Sequence, residues 1–161
     1  MFDRNDFSKG EKEHMAQASA PDIEHVEDWA YELIGEVIDQ RFRIDELIQS
    51  GSMGTVYRAT QVSFDRVVAV KVLQQRHISG YATIERFIRE AQIISELTHP
   101  NIVRLIDSGE DRKRNIFYLV MEFIDGVSLE RILHDFRLRP ELAIEVIRQT
   151  CSALTEPHSL E

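Results

Sequence analysis

"LIQSGSMGTVYRA", Leu47–Ala59, sets Gly51 and Gly54 three residues apart, between the apolar pair Leu47-Ile48 and the pair Val56-Tyr57. Glycine reaches positive φ without steric cost, so two of them between β-prone runs read as the turn of a hairpin. The flanks agree. Arg41 to Ser50 alternates through Phe42, Ile44 and Leu47-Ile48, and Gly54 to Val62 carries Val56, Tyr57 and Val62. Next, "RVVAVKVL" at 66–73 is rich in β-branched residues and follows a Ser63-Phe64-Asp65 turn. Three antiparallel strands are therefore expected from Arg41 to Leu73.

Further on, Ile84, Phe87, Ile88, Ala91, Ile94 and Leu97 recur at helical spacing and predict one amphipathic helix over Ala82–Leu97. His99-Pro100-Asn101 breaks it. Two more strands are expected at Ile102–Ile106 and Ile116–Met121, then the connector "EFIDG". Two helices close the chain: one from Ser128, its N-cap, to about Phe136, and a longer one from Pro140, a residue suited to the first helical turn. On the longer helix Leu142, Val146, Ile147 and Leu154 read as an apolar stripe, and Cys151 reads as packing rather than as a nucleophile.

The 161 residues carry a net charge of −9, unevenly spread. Residues 1–40 hold eleven acids against three bases, a net −8, and the remainder is near neutral with 17 against 16. An acidic leader on a neutral body argues against nucleic acid and anionic membrane as partners. No apolar run approaches the roughly 18 residues that a membrane-spanning helix needs, so a cytoplasmic protein is expected. Up to about Ala20 the chain is polar and aperiodic and reads as a disordered tail. Ile23, Val26, Ala30 and Leu33 then predict a short amphipathic helix, with Pro21-Asp22 at its start. It reads as a strut packed on its own domain, with a docking helix for another protein as the alternative.

Alone, Gly51 and Gly54 fit an ordinary hairpin turn as well as a loop whose backbone N–H groups approach phosphate oxygens, with Ser52 between them. Lys71 sits mid-strand among apolar neighbours in "VAVKVL", where an ammonium is costly unless an anion meets it. Nineteen residues later Glu90 adjoins the buried stripe of the long helix at Ala91. It could hold Lys71 as an ion pair and leave the other ammonium donors for phosphate.

Taken together, "IQSGSMGTVYRA", "VAVKVL", "RFIREAQIISELTHPNIVRLIDSG" and "FYLVMEFIDGVSLERIL" resemble the N-terminal, ATP-binding lobe of protein kinases, closest in flavour to bacterial eukaryotic-like serine/threonine kinases. The resemblance runs from about Ile38 to the end of the sequence. It implies an α+β fold: a five-stranded antiparallel sheet with one large helix, a hinge, and two helices of an incomplete C-lobe. The implied boundaries are an acidic extension at 1–37, an N-lobe at 38–121, a hinge at 122–127 and the start of a C-lobe at 128–161. It also implies that Ile48 and Val56 sandwich adenine with Ala69 on the strand above. Lys71 would hold the phosphates of ATP and Glu90 would hold Lys71. Met121 would be the gatekeeper, with the Glu122 C=O and the Ile124 N–H reading the adenine edge.

Two departures stand out. The family's loop usually begins with glycine where this chain has Gln49, which implies a stiffer loop over the phosphates. And neither His-Arg-Asp nor Asp-Phe-Gly occurs, so the catalytic aspartate and the protein ligands of Mg²⁺ are absent. Asp135-Phe136-Arg137 lacks the glycine and precedes the final helix. Residues 1–161 alone are therefore expected to be inert, with the apolar stripe of the final helix awaiting the rest of the C-lobe or a partner chain. A naturally short, non-catalytic module that binds a nucleotide or a partner is the alternative. The protein substrate is not legible.

Overall fold

The structure, a computed structural model, describes residues 29–51, 54–74, 81–135 and 137–155. The tail, the expected helix start at Pro21, Ser52 and Phe136 lie outside them. The chain divides into two compact units, one holding residues 29–96 and 103–124 and the other 97–102 and 125–155.

In the first unit a short helix α1 (Trp29–Glu32) precedes strands β1 (Val37–Ile38), β2 (Phe42–Gly51), β3 (Gly54–Gln61) and β4 (Arg66–Gln74). Helix α2 (Tyr81–Glu96) and strands β5 (Leu105–Asp111) and β6 (Ile116–Glu122) follow. The sheet is antiparallel in the order β1-β2-β3-β4-β6-β5. It has six strands rather than the five expected. The extra one is the two-residue β1, paired with Phe42 and Arg43, too short to show a period in sequence. β5 begins at Leu105 rather than Ile102, because the Ile102 N–H donates to the His99 carbonyl (3.0 Å) and keeps that stretch in a turn.

Strand alternation sorts side chains to two faces. One face buries Phe42, Ile44, Tyr57, Ala59, Val68, Val70, Val72, Ile116, Tyr118 and Val120 in a continuous core. Leu33 and Ile38 join it, and Ala30 is fully buried. The described end of the expected strut packs on the sheet through Leu33, with Ala30 buried beside it, and the Tyr57 hydroxyl donates to the Ala30 carbonyl (2.8 Å). On the opposite face Leu73 and Leu119 pack with Phe87 of α2 in a second, smaller core. Helix α2 therefore lies on the side of the sheet that Leu73 and Leu119 face.

A polar clasp ties the β1–β2 turn to β5 and β6. Arg41 donates twice to Asp39 (3.0 and 2.7 Å), once to Asp107 (2.6 Å) and once to the Tyr118 hydroxyl (2.6 Å), which itself donates to Asp39 (2.6 Å). The Asp39 backbone N–H donates to Asp111 (2.9 Å), and Arg114 bridges Asp111 and Glu36. Tyr118 and Arg41 together hold the Asp39 carboxyl below its ordinary range. Burial pushes Asp111 up, but the N–H groups of Asp39 and Arg114 and the Arg114 guanidinium outweigh it and leave the carboxyl low.

In the second unit helices α3 (Leu129–Asp135) and α4 (Pro140–Thr155) appear as expected. Ser128 caps α3, its Oγ accepting the Arg131 N–H (3.2 Å). The 97–102 segment is pinned to α4 by His99 to Ser152 (3.1 Å) and Asn101 to Gln149 (3.0 Å). The expected α4 stripe splits across two faces. Leu142 and Val146 are half-buried on the side of Gln149 and Ala153, whereas Ile144, Ile147 and Leu154 are exposed. Cys151 lies on that second face, four residues after Ile147, and is exposed rather than packed.

Candidate nucleotide site

Register builds the site. In an antiparallel pair, directly opposed residues present their side chains on one face. Val56 opposes Lys71, and Lys71 opposes Leu119. Arg58 opposes Ala69, and Ala69 opposes Met121. Val56, Ala69, Lys71 and Met121 thus share the face on which α2 packs, and the Lys71 ammonium lies 6.0 Å from the centre of the Phe87 ring. Ala69, with a single methyl, leaves a shallow apolar shelf between Val56 and Met121. Lys71 is half-buried two residues further along the same strand. An apolar shelf with a cation at one end suits a flat base joined to an anion.

Two irregularities shape the strand above this shelf. β2 shifts register between Ile44 and Glu46 and again between Leu47 and Gln49. The first shift leaves Asp45 as the extra residue, held by Thr60 (2.7 Å), Arg43 (2.9 Å) and Arg58 (3.6 Å). The second leaves Ile48 as the extra residue and sets Gln49 opposite Val56. A single-residue bulge turns both of its residues toward the side of their one partner, so Ile48, 36% exposed, and Gln49, also exposed, accompany Val56.

The two glycines do different work. Gly54 has φ +117°, and a Cβ there would lie 2.6 Å from the Val72 carbonyl oxygen. Only glycine fits. Gly51, its register partner, has open space around a notional Cβ and no positive φ. Ser52 lies outside the described residues. Glu90 stands on α2, but only its backbone is described.

At the far end of the shelf β6 leads into the connector. The Glu122 N–H donates to the Arg104 carbonyl (3.0 Å), and its carboxylate accepts the Arg104 N–H (2.8 Å). That double clamp fixes the strand end just before Ile124, which is exposed. Arg58 reaches the same end, 5.9 Å from the Phe123 ring centre. Sequence reasoning singled out neither Arg58 nor Leu119, because only the cross-strand register shows that they share this face. Among the described residues no group of three or more His, Cys, Asp or Glu could hold a metal ion. Among the same residues no helix is long and apolar enough to cross a membrane.

A glycine-turned hairpin over an apolar shelf, a lysine in the adjoining strand and a helix packed behind it define a protein kinase N-lobe. The protein kinase domain family matches residues 42–161, and the chain belongs to that family. It is 37% identical over 128 residues to the serine/threonine-protein kinase pkn3 of Myxococcus xanthus, a match covering 79% of this chain and 23% of that protein. It is 40% identical over 127 residues to PrkC of Bacillus subtilis, covering 78% of this chain and 19% of the relative. The chain therefore spans about a fifth of the length of these curated relatives. Among solved structures, the PknI kinase domain of Mycobacterium tuberculosis superposes with a TM-score of 0.66 at 23% identity, over 79% of this chain and 51% of that one. That likeness establishes the fold.

Proposed function

We propose that these residues are the ATP-binding portion of a serine/threonine protein kinase, which transfers the γ-phosphoryl group of ATP to protein hydroxyls. The observation that carries the reading is the shared face of Val56, Ala69, Lys71 and Met121 beneath a hairpin that requires glycine at Gly54. Ile48 and Val56 cover the base from above. Gly51, Ser52 and Gly54 give backbone N–H groups to the phosphates, and the Lys71 ammonium neutralises them. Phe87 faces Lys71, and on this reading Glu90, three residues further along α2 in sequence, supplies the carboxylate that steadies the lysine. Met121 closes the back of the shelf, and the Glu122 C=O and Ile124 N–H read the edge of the base. ATP would be bound as its magnesium complex, and the reading puts the protein ligands of that ion outside residues 1–161.

The reading divides the chain into an acidic extension at 1–37, an N-lobe at 38–121, a hinge at 122–127 and the first part of a C-lobe at 128–161, acting in the cytoplasm. The test is two-part. Purified residues 1–161 should bind a fluorescent ATP analogue in a manner lost in Lys71→Met, yet transfer no label from γ-labelled ATP. Binding indifferent to Lys71 would refute the nucleotide site. Transfer that Lys71→Met abolishes would refute the placement of the catalytic residues outside this segment.

A further inference from the structure

The bulge in β2 places a residue in the site that the glycine loop alone does not explain. Gln49, Val56, Lys71 and Leu119 form one row of register partners across four adjacent strands. At about 4.8 Å between strands, the Gln49 and Lys71 backbones lie about 10 Å apart, with only the short Val56 side chain between them. A ligand lying against Val56 is within reach of both long side chains. Lys71 offers a cation, and Gln49 offers a neutral amide that donates through Nε2 and accepts through Oε1.

Position along β2 sets which part of the ligand the amide meets. Ile48 precedes Gln49 and Gly51 follows two residues later, so Gln49 stands between the residue over the base and the residue at the phosphates. The group between base and phosphates in a nucleotide is the sugar, whose hydroxyls both donate and accept. We propose that Gln49 is a specificity-determining residue whose side-chain amide hydrogen-bonds the ribose of the bound nucleotide. The proposal rests on the nucleotide reading above and adds to it a preference for ribose over deoxyribose.

The experiment compares binding of ATP, 2′-deoxy-ATP and 3′-deoxy-ATP to the full-length protein and to Gln49→Gly and Gln49→Met. The methionine variant keeps the length of the side chain and discards the amide. Thermal melts check that both variants fold. The wild type should bind at least one deoxynucleotide about fivefold more weakly than ATP, the effect of one neutral hydrogen bond. Both variants should bind ATP itself about fivefold more weakly and lose the discrimination. Equal binding of all three nucleotides by the wild type, or undiminished discrimination in Gln49→Met, overturns the role of Gln49 while leaving the nucleotide site standing. Failure of the wild type to bind ATP at all overturns both.

Discussion

The hydroxyl of Tyr57 and the carbonyl of Ala30 lie 2.8 Å apart in a buried hydrogen bond that joins α1 to the strand carrying Gly54 and Val56. Residues 30–38 precede the stretch matched by the kinase family, yet Leu33 and Ile38 belong to the same core as the sheet and Ala30 is fully buried. Burial drives the Tyr57 phenol well above its ordinary range, so the proton stays in place to make the bond. Tyr57→Phe leaves the buried carbonyl without this donor and should cost about 1–3 kcal/mol. Urea unfolding measures it, and a change under about 0.5 kcal/mol would show that water replaces the hydroxyl.

Gly54→Ala meets two obstacles at once, a positive φ and a Cβ pressed against the Val72 carbonyl. Each is a cost of about 1–3 kcal/mol, and the backbone of β4 cannot yield without disturbing its pairing. The substitution should lower the melting temperature and weaken ATP binding together. Gly51→Ala, with open space around its Cβ, is the matched control and should change stability by less than about 1 kcal/mol. Equal effects at the two positions would mean that the hairpin relaxes around either side chain.

The clasp predicts how stability responds to acid. Asp39 and Asp111 both titrate below their ordinary 3.8 in the folded state. A carboxyl with a depressed folded pKa contributes stability that is present above its unfolded value and is lost as pH falls through the folded one. The loss therefore falls below about pH 4. Asp111 is 5% exposed, and Asp111→Asn weakens its bond to Arg114, so stability at pH 7 should fall by about 2–3 kcal/mol. The slope of stability against pH should also become shallower in acid. Superimposable acid slopes for wild type and variant, by urea unfolding at pH 3 to 7, would remove Asp111 from that role.

Strand β4 was legible to within a residue because "RVVAVKVL" combines β-branched residues with a bounding turn, and both of its faces are covered. Strand β5 was placed three residues early for a physical reason. Asp107 to Asp111 carry no apolar alternation and are held by backbone pairing to the apolar β6 at the sheet edge. Propensity favoured Ile102 and Val103, but the turn at His99 outweighed it. Lys71 and Gly54 could be picked out from local chemistry, and Met121 from the family resemblance alone. That Gln49 stands in their company depends on a one-residue bulge, and no feature of "LIQSG" announces one. The α4 stripe shows the same limit: periodicity revealed an apolar helix but merged two faces that burial separates.

Those two faces carry the last prediction. Ile144, Ile147 and Leu154 are 67%, 62% and 51% exposed along one side of α4, with Cys151 between them. Covering a side chain of this size is worth about 1.5–3 kcal/mol, so the face favours whatever apolar surface meets it. In a solution of residues 1–161 under reducing conditions, that surface is the same face of another copy. The polypeptide should self-associate at concentrations of tens of micromolar, and sedimentation velocity should show larger species growing with concentration. Replacing Ile144, Ile147 and Leu154 with glutamine should restore a monomer without melting α4, since glutamine is a good helix former. The Leu142 and Val146 side, half-buried already, should be indifferent in association and costly in stability when changed in the same way. A wild-type polypeptide that sediments as a monomer throughout, or a triple variant that associates as strongly, would show that this face is not what drives contact between copies.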